Sequence, residues 1–202
     1  MREGKLVIMV APSGSGKSTM AHRLLRDFKE LRFSVSATTR APRAGETHGV
    51  EYFFLSDAEF DARVDEQAFL EWEMFYNGRR YGTLKSEVDH LLKKGYFILL
   101  DLEVNGALNV KRIYGDRCLA IFIEAPSLDI LRQRLLARGT ETEESLALRL
   151  ERAGYELQFR HHFDARVIND DLERTYQEIY DRVHRFIRGE PAARTSTVSS
   201  LL

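Results

Sequence analysis

A nine-residue segment, Ala11 to Thr19, reads Ala-Pro-Ser-Gly-Ser-Gly-Lys-Ser-Thr and constrains this chain more than any other stretch. The apolar run Leu6 to Val10 precedes it and reads as a buried strand. Thr19 to Phe28 follows, with Met20, Leu24, Leu25 and Phe28 on one helical face. Strand, glycine turn and helix in that order cradle a polyphosphate, and the segment matches the pattern G-x-x-x-x-G-K-S/T at all but its first position. Gly14 and Gly16 let backbone N–H groups converge on phosphate oxygens with no Cβ in the way. The helix starting at Lys17 aims its positive dipole end at the same anion. The Lys17 ammonium reaches the β and γ oxygens of a nucleoside triphosphate, and the Ser18 hydroxyl suits Mg²⁺. Pro12, Ser13, Ser15 and Thr19 complete the expected wrap. Ala11 stands where the pattern has its first glycine; that position closes the strand rather than touching the γ-phosphate, so a methyl is tolerated. Alone, the loop fits a GTPase switch, an ATPase motor or a small-molecule kinase.

Composition removes other classes. The 202 residues are 44% apolar and 30% charged, enough to bury a core without disulfides or structural metal. A formal net charge of -1 argues against broad nucleic-acid binding, which needs a basic excess. The basic residues are 23 arginines against 7 lysines. A guanidinium fork suits phosphate recognition, although a genome-wide arginine bias gives the same ratio. Cys118, the single cysteine, lies in an apolar run and reads as a buried, inert thiol. No run approaches the ~18 apolar residues of a membrane span. The apolar run after Lys5 is shorter than the ~7–15 residues of a signal-peptide core. A cytoplasmic chain is expected.

The pattern along the chain is mixed α/β. Phe33 to Thr38 alternates as a strand, Arg40 to Gly49 reads as loop, and Tyr52 to Leu55 as a short strand. Ser56 with Glu59 makes a capping box for a helix to about Asp65, and Phe69 to Phe75 is another strand. These short, antiparallel-looking pieces suggest an inserted subdomain. Helices over Glu87–Lys94 and Gly106–Ile113 then alternate with apolar strands over Tyr96–Leu102 and Cys118–Ile123, as in a parallel sheet covered on both faces. Ser127 caps a helix ended by Gly139; Thr140 with Glu143 caps a charged helix to about His161; Leu172 to Ile187 closes the fold after a short strand, Arg166 to Ile168. His161 and His162 read as solvated helix-end residues. Gly189 to Leu202 reads as a disordered tail.

Seven blocks in order resemble guanylate kinases: Ser36 to Arg43, Gly49 to Leu55, Phe69 to Trp72, Tyr81 to Thr83, Asp101 to Ala107, Arg138 to Ser145 and Val167 to Leu172. The resemblance runs from Gly4 to about Phe186. It implies a P-loop NTPase core with a parallel sheet flanked by helices (1–34, 87–131 and 156–188), a small mixed α/β GMP-binding subdomain (35–86) and a helical lid (132–155). It implies that Ser36, Arg40, Arg43, Tyr52 and Tyr81 hold the GMP phosphate, that Glu71 accepts from the guanine N1–H and exocyclic amine, and that Thr83 serves O6. Asp101 would lie near Mg²⁺ and Glu103 on the guanine side. Arg138 and Arg149 would close on the ATP phosphates, and Asn169 would contact adenine. Arg134 stands between joining those lid arginines and pairing with acidic neighbours.

The resemblance further implies the reaction ATP + GMP → ADP + GDP, with dGMP also accepted, Mg²⁺ as cofactor, no nucleic-acid or membrane partner, and a monomer or homodimer. Lys17, Arg40, Arg138 and Arg149 would be its catalytic charges. Three positions depart from the usual pattern: Ala11, Glu103 where the family commonly has the shorter Asp, and Asn105 where Gln is more common. A domain that has lost catalysis and binds protein partners is a competing reading, as is a kinase of the same fold for another phosphorylated small molecule. The intact Gly16-Lys17-Ser18 opposes the first, and Glu71 with Thr83 opposes the second.

Overall fold

The computed structural model describes residues 4–74, 78–137, 139 and 142–191. β1 (Leu6–Val10) is the middle strand of a five-stranded, all-parallel sheet whose order is β2 (Leu31–Phe33), β7 (Phe97–Asp101), β1, β8 (Cys118–Glu124) and β9 (Ala165–Ile168). Strands buried on both faces need unbroken apolar runs, and β1 is fully buried along its length. Its odd residues Val7 and Met9 pack with Met20 and Leu24 of α1 (Lys17–Asp27) and with Ile179 and Val183 of α7 (Leu172–Arg188). Its even residues Leu6, Ile8 and Val10 pack on the opposite face with Val88 of α3 (Lys85–Lys93) and Ala107 and Val110 of α4 (Val104–Tyr114). The α/β fold with a parallel sheet between helices is as expected.

A second sheet holds β4 (Phe53–Phe54), β3 (Ala37–Thr38), β6 (Arg80–Leu84) and β5 (Phe69–Met74), in that order. It has its own core, in which Phe60 of α2 (Asp57–Asp65) stacks on Phe69 at 4.5 Å with Ala37, Leu55 and Leu84 around them. A fourth cluster joins Leu131 and Leu135 of α5 (Leu128–Ala137) to Leu146 and Ala153 of α6 (Glu143–Leu157).

Several local expectations change. The stretch Phe33 to Thr38 is not one strand: β2 pairs with β7 in the large sheet, the chain leaves it at Ser34, and β3 joins the small one. β3 and β4 are parallel, because Arg40 to Gly49 is long enough to return the chain to the same end. The sequence does not mark β6 as a strand, since Gly82 interrupts the alternation; pairing with β5 and β3 on either side makes it one. α6 is capped by Thr142, whose side chain accepts from Ser145 N at 3.2 Å while Ser145 accepts from Thr142 N at 3.0 Å, and not by Thr140, which lies outside the described residues. α6 ends at Leu157, and a short 3-10 turn follows at Arg160–His162. The capping box at Ser56 and the cap at Ser127 form as the sequence indicates. Of the expected tail, residues 192–202 also lie outside the described residues.

Candidate active site

β1 delivers the chain at Ala11 into the loop, where Ser15 N–H donates to Pro12 O at 3.0 Å to close the turn. Gly14 and Gly16 have φ of +95° and +96°, a region that L side chains rarely adopt. A Cβ at Gly16 would also collide with the Asn169 side-chain amide, so two independent constraints demand glycine there. α1 starts at Lys17 with no acidic residue in its first turn, leaving its N–H groups and dipole available to an anion. A cleft of about 610 Å³ opens above, lined by the loop, Asp101, Glu103 and one face of α6 including Arg149. Lys17 Nζ is ion-paired with Asp101 at the carboxyl end of β7, where α/β sheets present ligand-binding groups. Arg149 Nη1 donates to Ser13 Oγ at 2.7 Å, so α6 touches the loop directly. The Ser18 and Thr19 side chains line the same cleft, exposed to it.

Asn169 is placed differently from a cleft-lining residue. It is buried, its Nδ2 donates to Ser15 O at 2.7 Å, and its own N–H donates to Glu124 O at 2.8 Å. It braces the loop from behind. Arg134 in turn donates to Asn169 O at 2.8 Å, a contact that belongs to neither of its two expected roles and supports that brace. Arg138 lies outside the described residues.

A second cleft of about 460 Å³ adjoins the first, and Asp101 and Glu103 line both. It brings together Ser36, Tyr52, Glu71 and Tyr81 from four separate segments. The Glu71 side chain projects from β5 and accepts a hydrogen bond from Thr83 Oγ1, across on β6, at 2.6 Å. A Cβ on Gly106 of α4 would sit 3.0 Å from the Glu71 carboxylate, so this glycine makes room for Glu71 beside the helix. Burial pushes the Glu71 carboxyl above its ordinary range, and the Thr83 hydroxyl pulls it back down. Tyr52 and Tyr81 meet edge to face at 5.9 Å, and burial raises the Tyr52 phenol.

The two arginines expected at the acceptor phosphate are not equally placed. Arg40 is buried, lies 5.3 Å from the Tyr52 ring, and is gripped by both Glu46 oxygens at 2.8 Å. That pairing raises the guanidinium further and holds the Glu46 carboxyl at about 2. Arg43 is exposed, and its backbone N–H donates to the same Glu46 at 2.7 Å. Glu46 thus orders the loop bearing both arginines, a role its sequence position does not advertise.

The family model described as guanylate kinase matches residues 3–186. The chain belongs to the guanylate kinase family. It is 47% identical over 187 residues to a guanylate kinase of Bacteroides thetaiotaomicron, an alignment covering 93% of this chain and 92% of that one. It is 49% identical over 187 residues to a guanylate kinase of Salinibacter ruber, covering 93% and 99%. The fold matches the crystal structure of guanylate kinase from Anaplasma phagocytophilum with a TM-score of 0.69 at 27% identity, over 91% of this chain and 86% of that one.

In this guanylate kinase family member a second residue, besides Glu46, has a place that its sequence does not mark. Arg152 of α6 donates through Nε to Glu156 Oε1 at 3.0 Å and through Nη2 to Glu73 Oε1 at 2.8 Å and Glu103 Oε2 at 3.0 Å. Glu103, expected toward the guanine, therefore spends one oxygen on α6. Burial, with the Glu103 carboxylate beside it, pushes the Glu156 carboxyl well above its ordinary range, and Arg152 pulls it back down. The signal in the sequence was only the i,i+4 spacing of Arg152 and Glu156, which any solvated helix shows. Cys118 is buried, and burial raises its thiol to about 12, as befits an inert side chain.

Proposed function

We propose that this chain binds ATP in the first cleft, over Ala11 to Thr19, and GMP in the second, beside Glu71. The observation that carries the reading is that the two clefts share Asp101 and Glu103 as a common wall, which lets two nucleotides meet end to end. The chain is an ATP:GMP phosphotransferase: the γ-phosphoryl group of ATP passes to GMP, giving ADP and GDP.

The acceptor atom is a phosphate oxygen that already carries charge, so no general base is needed. The barrier is the cost of bringing two polyanions into line, and the chain lowers it by positioning and positive charge. The loop N–H groups and α1 dipole seat the β-phosphate. Lys17 turns from Asp101 toward the β and γ oxygens. Arg149 moves from Ser13 to the transferring group, with Arg138 as the second lid arginine. On the acceptor side, Arg40 and Arg43 fork onto the GMP phosphate with Ser36, Tyr52 and Tyr81 completing its shell. Glu71 and Thr83 read the guanine edge, which adenine does not reproduce. A buried carboxylate left facing the wrong base loses its partners, and such mismatches discriminate by ~10⁴ or more.

Ser18 and Asp101 offer hard oxygen donors on the wall of the first cleft, the set Mg²⁺ accepts alongside phosphate oxygens and water. When bound there, Mg²⁺ supplies neutralisation of the β and γ oxygens. The segments 35–86 and 132–155 act in this reading as acceptor subdomain and lid around the core, excluding water from the γ-phosphate. Among the described residues no helix is long and apolar enough to cross a membrane, and the work proposed is cytoplasmic. A coupled ADP-release assay with GMP, dGMP, AMP, CMP and UMP tests the reading: turnover with GMP and dGMP only is expected, and equal rates with AMP would end it.

A further inference from the structure

Arg152 and Glu73 have no task in the reaction as described. The three carboxyl groups on Arg152 come from three parts of the fold: Glu156 from its own helix, Glu73 from β5 of the small sheet, and Glu103 from the turn between β7 and α4 where the clefts meet. One planar fork with five donors can serve such a set; an ammonium cannot do so in a fixed plane. Glu73 is held by this contact rather than by a satisfied surround, because its other oxygen, Oε2, is buried with no hydrogen-bond partner among the described residues. One turn earlier on α6, Arg149 reaches the phosphate loop at Ser13. Residues three apart share a helix face, so a single face of α6 touches the donor loop through Arg149 and the acceptor sheet through Arg152. Glu73 and Glu103 also line the acceptor cleft, where bare carboxylates would repel a nucleotide dianion.

We propose that Arg152 is a positioning residue that ties α6 to β5 through Glu73 and Glu103, so that filling the acceptor cleft and closing α6 over the donor loop become one coupled event. The inference rests on the assignment of the two clefts to ATP and GMP. Coupling between sites is a reciprocal free energy, so it is read as the change that one nucleotide makes in the affinity of the other.

The test is calorimetric titration of a non-hydrolysable ATP analogue with Mg²⁺ into the full chain, with and without saturating GMP. In the unaltered protein GMP is expected to tighten the analogue about tenfold. Glu73→Ala should cut that factor below about twofold while leaving the affinity for either nucleotide alone within about threefold, and Arg152→Met should cut it likewise while also weakening GMP alone, because it bares Glu73 and Glu103. The double variant should lose no more than the worse single one, and Arg152→Lys should keep part of the coupling. If Arg152→Met fails to fold, Glu73→Ala decides, since it leaves Arg152 with Glu156 and Glu103. Full tightening in Glu73→Ala overturns the proposal, as does an unaltered protein that turns over GMP yet shows no tightening. An unaltered protein without GMP-dependent ADP release overturns the cleft assignment itself.

Discussion

The donor and acceptor clefts share a wall but are built on opposite plans. The donor cleft hangs on one uninterrupted turn between β1 and α1. Its ligand groups are mostly main-chain N–H, fixed by the positive φ of Gly14 and Gly16 and braced from behind by Asn169. The acceptor cleft is made of side chains: Ser36, Tyr52, Glu71 and Tyr81 arrive from separate segments, and Glu71 is set by Thr83 on the next strand and by the gap at Gly106. A main-chain site absorbs a side-chain change such as Ala11 at its rim but fails when backbone freedom or its one ammonium is lost. A side-chain site is sensitive to single atoms and to whatever packs behind them.

That contrast can be broken at Lys17. Lys17→Ala should lower kcat by about 10³-fold, the scale of removing one preorganised charge from a transition state, with KM for GMP little changed. Steady-state ADP release at varied GMP checks this, and an intact rate would dissolve the donor-side assignment. The acceptor side is sharpened by Gly106→Ala, which adds a methyl 3.0 Å from the Glu71 carboxylate. It should raise KM for GMP by about tenfold, equivalent to ~1.4 kcal/mol, and leave KM for ATP unchanged.

The smallest effect concerns the junction between the clefts. Burial and Glu103 push the Glu156 carboxyl up to about 8 in the fold against 4.5 when unperturbed, so between those values the native state holds more of a proton than the unfolded chain. Its stabilisation is full below about pH 4.5, declines as pH rises, and is gone above about 8. Melting temperatures measured from pH 5 to 9 should fall more steeply for the unaltered chain than for Glu156→Gln.

Legibility in the sequence follows the same divide. The phosphate loop, β1 and α1 could be read because their chemistry is contiguous and their periodicity is strong. The capping box at Ser56 is readable because its partners lie three residues apart. Tyr81 and Thr83 were legible only through family resemblance; that they sit on a strand was not, since Gly82 breaks the alternation and cross-strand pairing supplies what local propensity lacks. The change of sheet at Ser34 is a tertiary event with no local mark. Glu46, which organises Arg40 and the Arg43 backbone, sits in a loop of ordinary composition. Arg152 could not be distinguished from other helix-surface arginines, because Glu73 and Glu103 reach it only through the fold.

The division of labour between the clefts is tested most directly by full steady-state kinetics of Glu71→Gln with ATP and GMP both varied. The substitution keeps the shape and an acceptor oxygen for the Thr83 hydroxyl but removes the charge that accepts from the guanine N1–H and amine. The expected result is a loss of about 10²-fold in kcat/KM for GMP with KM for ATP within about twofold. An equal loss for both nucleotides, or none for GMP, would contradict the assignment of Glu71 to the acceptor base.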